Sequence, residues 1–474
     1  MPVPVSIMWF RQDLRVKDNP ALNAACDLGK IIPVYIADTS VPEKRLPGSV
    51  TKWWLHQSLN SLNDRLNGHL QVFSSDPADL ISELMARFDV QHIFWNRLYE
   101  PWHVARDKKL KQALKDDGKT VKSFNGSLLW EPWDIENKSG SPYKVFTPFY
   151  RKGCLQAAEP RFPQAPVARI TYADVDNAGM SIDDLGLMPD IQWYDGIEKM
   201  WTPGEDGAAD RLATFIDEAA ANYKTDRDIP AVQGTSLLSP HLHAGEISPN
   251  QIWYAIKDAF GNSDDKNIDT YLSELGWREF AHHLIYHFPD FPDKNFNEKF
   301  DKFPWRRSQK DLEAWQKGRT GIPIVDAGMR ELWHTGYMHN RVRMITGSFL
   351  VKNLLTDWRE GEAWFWDCLA DADGANNTAG WQWVAGSGAD AAPYFRVFNP
   401  VLQGEKFDKQ GEYVRTWCPE LKKLPNKYIH KPWEADKATL KQAGIVLGEQ
   451  YPEPLVDLKA SRQRALDAFN EIKG

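Results

Sequence analysis

Four short stretches of the chain carry residue types that do chemistry. The first is Gly234-Thr-Ser-Leu-Leu-Ser-Pro240. Thr235, Ser236, Ser239 and the neighbouring backbone amides stand ahead of a helix that Pro240 would start. That arrangement cradles an anion such as phosphate, and it equally describes an ordinary helix cap. The second is Ser273-Glu-Leu-Gly-Trp-Arg-Glu-Phe280. Helical spacing puts Glu274, Trp277 and Arg278 on one face. A carboxylate, a flat ring and a guanidinium suit a pocket for a base or a phosphate-bearing ligand. They also describe a solvated Glu–Arg pair beside a core tryptophan. In the third, Gly336-Tyr-Met-His-Asn-Arg-Val-Arg-Met344, the residues Asn340, Arg343 and Met344 share a face by the same spacing. In the fourth, Leu369–Trp383, Asp371 and Asp373 precede a run of small and amide residues. It reads as a turn, and it lacks the glutamate that a calcium loop needs at its twelfth position.

Other chemistries find little support. There is no GxGxxG and no GxxxxGK[ST], so neither a dinucleotide site nor a P-loop is expected. The twelve histidines include His282–His283 and His241/His243 but no HExxH. Cys26, Cys154, Cys368 and Cys418 are far apart and form no CxxC. No metal and no disulfide framework is expected. The 57 Lys and Arg against 65 Asp and Glu give a net charge of −8, which argues mildly against a general nucleic-acid binder. Seven arginines nevertheless fall between Arg278 and Arg343, and a local basic face sets phosphate affinity whatever the total charge. Of the 21 tryptophans, most would fill cores, while some could stack on flat ligands or carry electrons.

These stretches need a scaffold, and 474 residues allow two or three domains. Hydrophobic residues at 42% and charged residues at 26% are ordinary globular usage. Residues 1–130 alternate β-rich runs (Val5–Phe10, Ile31–Ala37, Leu70–Ser74, His92–Asn96, Thr120–Phe124) with helical patterns (Asn19–Asp27, Val50–Leu66, Pro77–Phe88, His103–Asp116). Such alternation predicts a doubly wound parallel sheet, a Rossmann-like α/β domain. Residues 131–205 scatter Pro, Gly, Asp and aromatics without period and read as a long linker. Residues 206–474 are helical throughout, with apolar spacing of three to four in Gly207–Asn222, Ser248–Phe260, Asp269–Tyr286, Ile322–Thr335 and Arg341–Asp357. The expected fold class is α/β followed by all-α. No run of 18 apolar residues occurs, and charges interrupt the first fifteen residues where a signal peptide would stay apolar. A cytoplasmic location without membrane association is expected.

The four stretches occur together with Trp9-Phe-Arg-Gln-Asp-Leu-Arg15, Asp18-Asn19, Phe398-Asn-Pro400 and Gln403-Gly-Glu-Lys-Phe-Asp408. In that order and spacing the chain resembles the photolyase/cryptochrome flavoproteins over nearly its whole length. Within them it resembles the bacterial class I photolyases of cyclobutane pyrimidine dimers (CPD). The resemblance implies a helical C-terminal domain holding one FAD, reduced when active, with adenine folded against flavin. Tyr223, Thr235, Ser236, Leu237, Leu238 and Ser239 would hold its phosphates and ribityl chain. Tyr271 and Arg278 would add to that pocket, with Asn340, Arg343, Asp371 and Asp373 around the ring system. Asn377 would face flavin N5, where an amide tolerates negative charge that an aspartate would resist. Glu274, Trp277, Asn340, Met344 and Trp383 would line the lesion pocket. Arg227 and Arg341 would contact phosphates of UV-damaged DNA. Trp305, Trp358 and Trp381 would relay electrons, with Trp305 outermost and Trp381 nearest the flavin.

The implied activity is that of a photo-lyase acting on carbon–carbon bonds. Excited reduced FAD gives one electron to a flipped-out dimer, the cyclobutane ring splits, and the electron returns. Glu274 would hydrogen-bond the thymine carbonyl edge, and Trp277 and Trp383 would pack against the dimer, which flips cheaply because it pairs poorly. Two relatives of this activity compete. Cryptochrome photoreceptors often replace the residues standing here as Glu274, Trp383 or Asn377, and many carry a long tail beyond the position of Gly474. Enzymes repairing (6-4) photoproducts would carry a histidine pair where His339 is followed here by Asn340. The resemblance also implies a second, antenna pigment, a methenyltetrahydrofolate, a deazaflavin or another flavin, without choosing between them. Lys52-Trp-Trp-Leu-His56 and Arg97-Leu-Tyr-Glu-Pro-Trp102 are where its pocket could form. A monomer is expected.

Overall fold

Strands β1 (Val5–Phe10), β2 (Lys30–Asp38), β3 (Gln71–Ser75), β4 (His92–Asn96) and β5 (Thr120–Phe124) form one parallel sheet in the order β3-β2-β1-β4-β5. The computed structural model describes residues 3–175, 178–261, 265–391 and 395–473. Helices α1 (Pro20–Leu28), α2 (Ser49–Arg65), α3 (Pro77–Arg87) and α4 (Pro101–Asp116) connect the strands. The pleat sends alternate residues to opposite faces. Met8 and Phe10 pack with Leu22 of α1 and Leu59 of α2, while Ile7 and Trp9 pack with Ile81 of α3 and Leu110 of α4. Both faces are thus covered, which is the doubly wound arrangement. Asp76 starts α3 by accepting the Ala78 N–H at 2.8 Å, with Pro77 in the first turn.

The strand order reverses between β1 and β4, where such sheets usually bind ligands beyond the strand ends. Here the chain's own side chains fill that crevice. Arg11 pairs with Asp107 at 2.6 Å, and Arg106 pairs with Asp107 at 2.7 Å and also with Asp38. Both guanidinium groups lie over the Trp9 ring. Asn96 at the end of β4 donates to Asn19 at 2.7 Å.

The connection 131–205 is a packed strap with only short helical turns. Tyr172 and Met180 each form a single bridge to the sheet, at Ile31 and Val72. Ile135, Phe146, Phe149 and Tyr150 join a core with Phe215, Trp253 and Phe280 of the helical half.

From Glu205 onward the described residues are helices and loops. Two predicted helices are broken. The 207–222 segment is helical over Glu205–Thr214 and then changes pitch through Asn222. Arg341–Asp357 is instead a helix over Asn340–Ser348 and a wider turn over Phe349–Asn353, ended by Leu355 with φ of 55°. The reason is tertiary. Buried Lys352 must donate to the Ala385 carbonyl at 2.7 Å and buried Asn353 to Ser461 at 2.9 Å, which pulls the turn out of register. Among the described residues, no helix is long and apolar enough to cross a membrane.

Candidate functional site

A cavity of about 540 Å³ opens among the helices Lys266–His287, Asn340–Ser348 and Gly374–Ala385 and the loop before Ser239. Every residue expected to bind the cofactor lines it. So do Arg227, Glu274, Trp277, Met344, Trp381 and Trp383. Arg341, Trp305 and Trp358 lie outside its lining. The volume is in the range of ligand sites.

The hydroxyl loop forms one wall. The helix after it, Ser239–Ala244, is only six residues long, and its capping residue is Leu238, so no side chain caps it. The cap reading of Thr235, Ser236 and Ser239 is therefore not what the fold uses; Thr235 Oγ1 lies 3.4 Å from the Tyr337 hydroxyl, and all three residues line the cavity. Leu237 in this loop has φ of 53°. A left-handed leucine costs about 1 kcal/mol or more, and such strain concentrates at ligand sites.

The polar floor carries unpaired acceptors. Arg343 donates to the Met338 carbonyl at 2.7 Å and to Asp371 Oδ2 at 2.9 Å. Asp371 Oδ1 is buried without a partner, and so is His243 Nδ1. Burial lowers the basicity of His243. Asp373 caps the Gly374–Ala385 helix by accepting the Asn376 N–H at 2.7 Å. Asn377 donates through Nδ2 to the Glu362 carbonyl at 3.1 Å, which leaves its Oδ1 as an acceptor. Buried acceptors without donors are costly. A flat ring bearing N–H donors, attached to phosphates at the hydroxyl loop, would satisfy both walls, so these residues fit FAD.

The other side of the cavity is an aromatic platform. Trp277 stacks on Phe146 at 3.7 Å and 11°, and Phe146 stacks on Tyr150 at 5.7 Å and 8°. The platform demands a glycine at 276, because a Cβ there would sit 2.5 Å from the Tyr150 ring. Glu274 accepts a charged hydrogen bond from Arg227. A carboxylate so paired accepts and does not donate, so in this arrangement Arg227 carries the donors. Arg341 meets Asp228 at 2.6 Å and lies over the Phe407 ring. Both arginines expected on phosphate are therefore engaged with carboxylates, each through one nitrogen of a five-donor group.

Of the three relay candidates, Trp305 is half-buried against Phe303 at 4.4 Å. Trp358 is fully buried and donates to Asn295 at 2.9 Å. Trp381 is buried edge-on to Phe365 at 4.9 Å, against Gly361, where a Cβ would lie 2.1 Å from its ring. Trp53 and Trp54, considered for an antenna pocket, are 1% and 2% exposed in a core with Trp201. They have no free face for a pigment. Trp102 is half-buried against Gly374.

Beyond the residues expected from the sequence, the site uses Tyr337, Phe146 and Tyr150, and it uses His243 in the cavity wall and not as a metal ligand. His243 and Tyr337 sit within or beside two of the four stretches, so adjacency was a usable signal. Phe146 and Tyr150 reach Trp277 across more than a hundred residues, and no local pattern marks them.

Comparison with known proteins agrees with this geometry. Residues 6–167 match the DNA photolyase family model, and residues 271–471 match that of the FAD binding domain of DNA photolyase. The chain is 50% identical over 98% of both chains to a deoxyribodipyrimidine photo-lyase of Agrobacterium fabrum. It is 35% identical to Cryptochrome-1 of Arabidopsis thaliana, over 98% of this chain and 70% of that one. A solved bacterial class III photolyase from Agrobacterium tumefaciens superposes with a TM-score of 0.96 at 49% identity, covering 100% of this chain and 98% of that one. The chain belongs to the photolyase/cryptochrome family. Its class III neighbour stands where the motifs suggested class I.

Proposed function

We propose that the protein is a light-driven CPD photolyase of the class III type, working on UV-damaged DNA as a cytoplasmic monomer. Residues 1–130 form its α/β domain, 131–205 the strap, and 206–474 the FAD and lesion domain. The observation that carries this reading is the single cavity, in which the hydroxyl loop, the unpaired acceptors and the aromatic platform face one space. Bound and reduced, FAD would supply the light absorption and the electron. The protein's own residues do the rest. Thr235, Ser236 and Ser239 hold phosphates, and Tyr223, Leu237, Leu238 and Tyr271 shape the chamber. Arg278, Asn340, Arg343, Asp371, Asp373 and Asn377 fix the ring. Trp277, buttressed by Phe146, and Trp383 offer flat apolar faces to a flipped-out dimer, with Met344 beside them. Opening of the Arg227–Glu274 pair releases a carboxyl for the dimer edge and a guanidinium for phosphate. Trp305, Trp358 and Trp381 resupply electrons when the flavin is oxidised. A second pigment would supply further light absorption, and buried Trp53 and Trp54 offer it no face.

The reading is tested at Glu274. Glu274→Ala should retain FAD and lower dimer repair per absorbed photon several-fold. Unchanged repair per photon would remove Glu274 from the mechanism.

A further inference from the structure

The Lys266–His287 helix turns His282 inward behind the cavity wall, where it is 5% exposed. Its Nδ1 lies 2.9 Å from the Arg278 carbonyl oxygen. A carbonyl only accepts, so Nδ1 carries a hydrogen. Its Nε2 faces Asp373 Oδ2 at 3.5 Å. A neutral imidazole with its hydrogen on Nδ1 would present a bare lone pair to that oxygen, acceptor against acceptor. A second proton must therefore lie between the two groups. The other oxygen of Asp373 already accepts from the Asn376 backbone at 2.7 Å and its side chain at 2.8 Å, which favours the ionised carboxylate. The proton belongs to His282.

A second carboxyl closes the group. Glu100, just before α4, is 4% exposed, and a Cβ on Gly374 would lie 3.5 Å from its Cγ. The groups facing His282 are thus Asp373 and Glu100 from other elements, His243 from the short helix, and Arg278 and the buried Glu279 carboxyl on its own helix, with the Tyr99 ring edge-on at 6.5 Å. Burial opposes a charge on His282, but Asp373 outweighs it and leaves the imidazole more basic than usual. Burial and the Asp373 charge together push the Glu100 carboxyl up.

We infer that His282 is a positioning residue for the flavin: as an imidazolium it holds Asp373 ionised and fixed on the cavity wall, and its charge offsets the negative charge that the ring gains on reduction. This deepens the flavin reading and rests on it. It also ties the α/β domain to the site, since Glu100 supplies the opposing charge. The signs follow. Loss of the imidazolium leaves two carboxyls facing the site and disfavours the reduced ring. Loss of the Glu100 charge does the opposite.

The test is the midpoint potential of FAD bound to the full-length protein, with bound FAD counted by absorbance. His282→Gln should lower the potential, shifting the oxidised-to-reduced ratio at fixed potential on the order of tenfold, about 30 mV for a two-electron couple. Glu100→Gln should raise it. In the unsubstituted protein the potential should bend further downward as pH rises through the His282 titration, and His282→Gln should abolish that bend. Equal potentials in all three proteins, or shifts of the same sign in both variants, would overturn the inference. A protein that neither carries nor takes up FAD would overturn the flavin reading itself, and this inference with it.

Discussion

The crevice at the ends of β1 and β4 and the cavity in the helical half are both lined by arginines and carboxylates, yet they are finished differently. In the crevice the guanidinium groups of Arg11 and Arg106 meet Asp107 and Asp38, and Trp9 lies beneath both. In the cavity Asp371 keeps one oxygen unpaired, His243 one nitrogen, and three hydroxyls cap nothing. Leaving a buried polar group unsatisfied costs about 1–3 kcal/mol, a cost recovered when a polar ligand enters. Residue type therefore does not mark the site. Unpaired polar atoms alone do not mark it either, since Trp9 Nε1, Arg11 Nε and Asn96 Oδ1 in the crevice are buried without partners too. What marks the helical half is that its free polar atoms face an open cavity of about 540 Å³, whereas the crevice guanidinium groups are closed by carboxylates.

The largest expected effect lies in the crevice. Asp107→Ala takes from buried Arg11 its carboxylate and leaves Arg106 only Asp38, and should cost about 3 kcal/mol of stability, read as a lower urea midpoint, while bound FAD per folded chain is unchanged. Loss of FAD from the folded variant would erase the contrast between the two regions. The reciprocal change is Asp371→Asn in the cavity. It weakens the Arg343 pair and should reduce FAD affinity roughly tenfold by equilibrium titration, with little movement of the urea midpoint of the FAD-free protein. Trp381→Phe narrows the test to electron supply. It should abolish photoreduction of oxidised flavin yet spare repair by chemically reduced protein, and normal photoreduction would refute the relay.

The smallest effect is a pH dependence at the seam of the two regions. Glu279 is buried and accepts the Leu129 N–H at 2.9 Å and the Trp130 N–H at 3.3 Å. Burial pushes its carboxyl up from 4.5 to about 7, against the opposing charge of Arg278. The folded state thus holds this proton more tightly than the unfolded chain. Its contribution to stability is complete below the unfolded value of about 4.5 and is lost as pH rises to about 7. Glu279→Gln should flatten that part of the urea-midpoint profile, and an unchanged slope would contradict the assignment.

Much of this was legible in the chain. Periodicity placed the strands and the first four helices to within one or two residues, because the strands are short runs and each of these helices begins at Pro or Gly. The i, i+3, i+4 rule put Glu274, Trp277 and Arg278 on one wall and Asn340, Arg343 and Met344 on another. Long-range pairing was not legible. Nothing local announces that Phe146 buttresses Trp277, that Arg227 holds Glu274, or that Glu100 faces His282. The helix break after Ser348 has only the Gly347-Ser348 pair as a local signal, and distant Ala385 and Ser461 fix it.

One measurement bears most directly on the claim that the helical cavity is a flavin and dimer site. FAD-loaded, reduced protein is mixed with an oligonucleotide carrying a thymine dimer, and separately with one carrying a (6-4) photoproduct, in blue light and in darkness. Recovery of thymine absorbance with the dimer alone, and in light alone, is the predicted result. Recovery with neither substrate, from protein that still holds FAD, would contradict the repair account and leave a photoreceptor in its place.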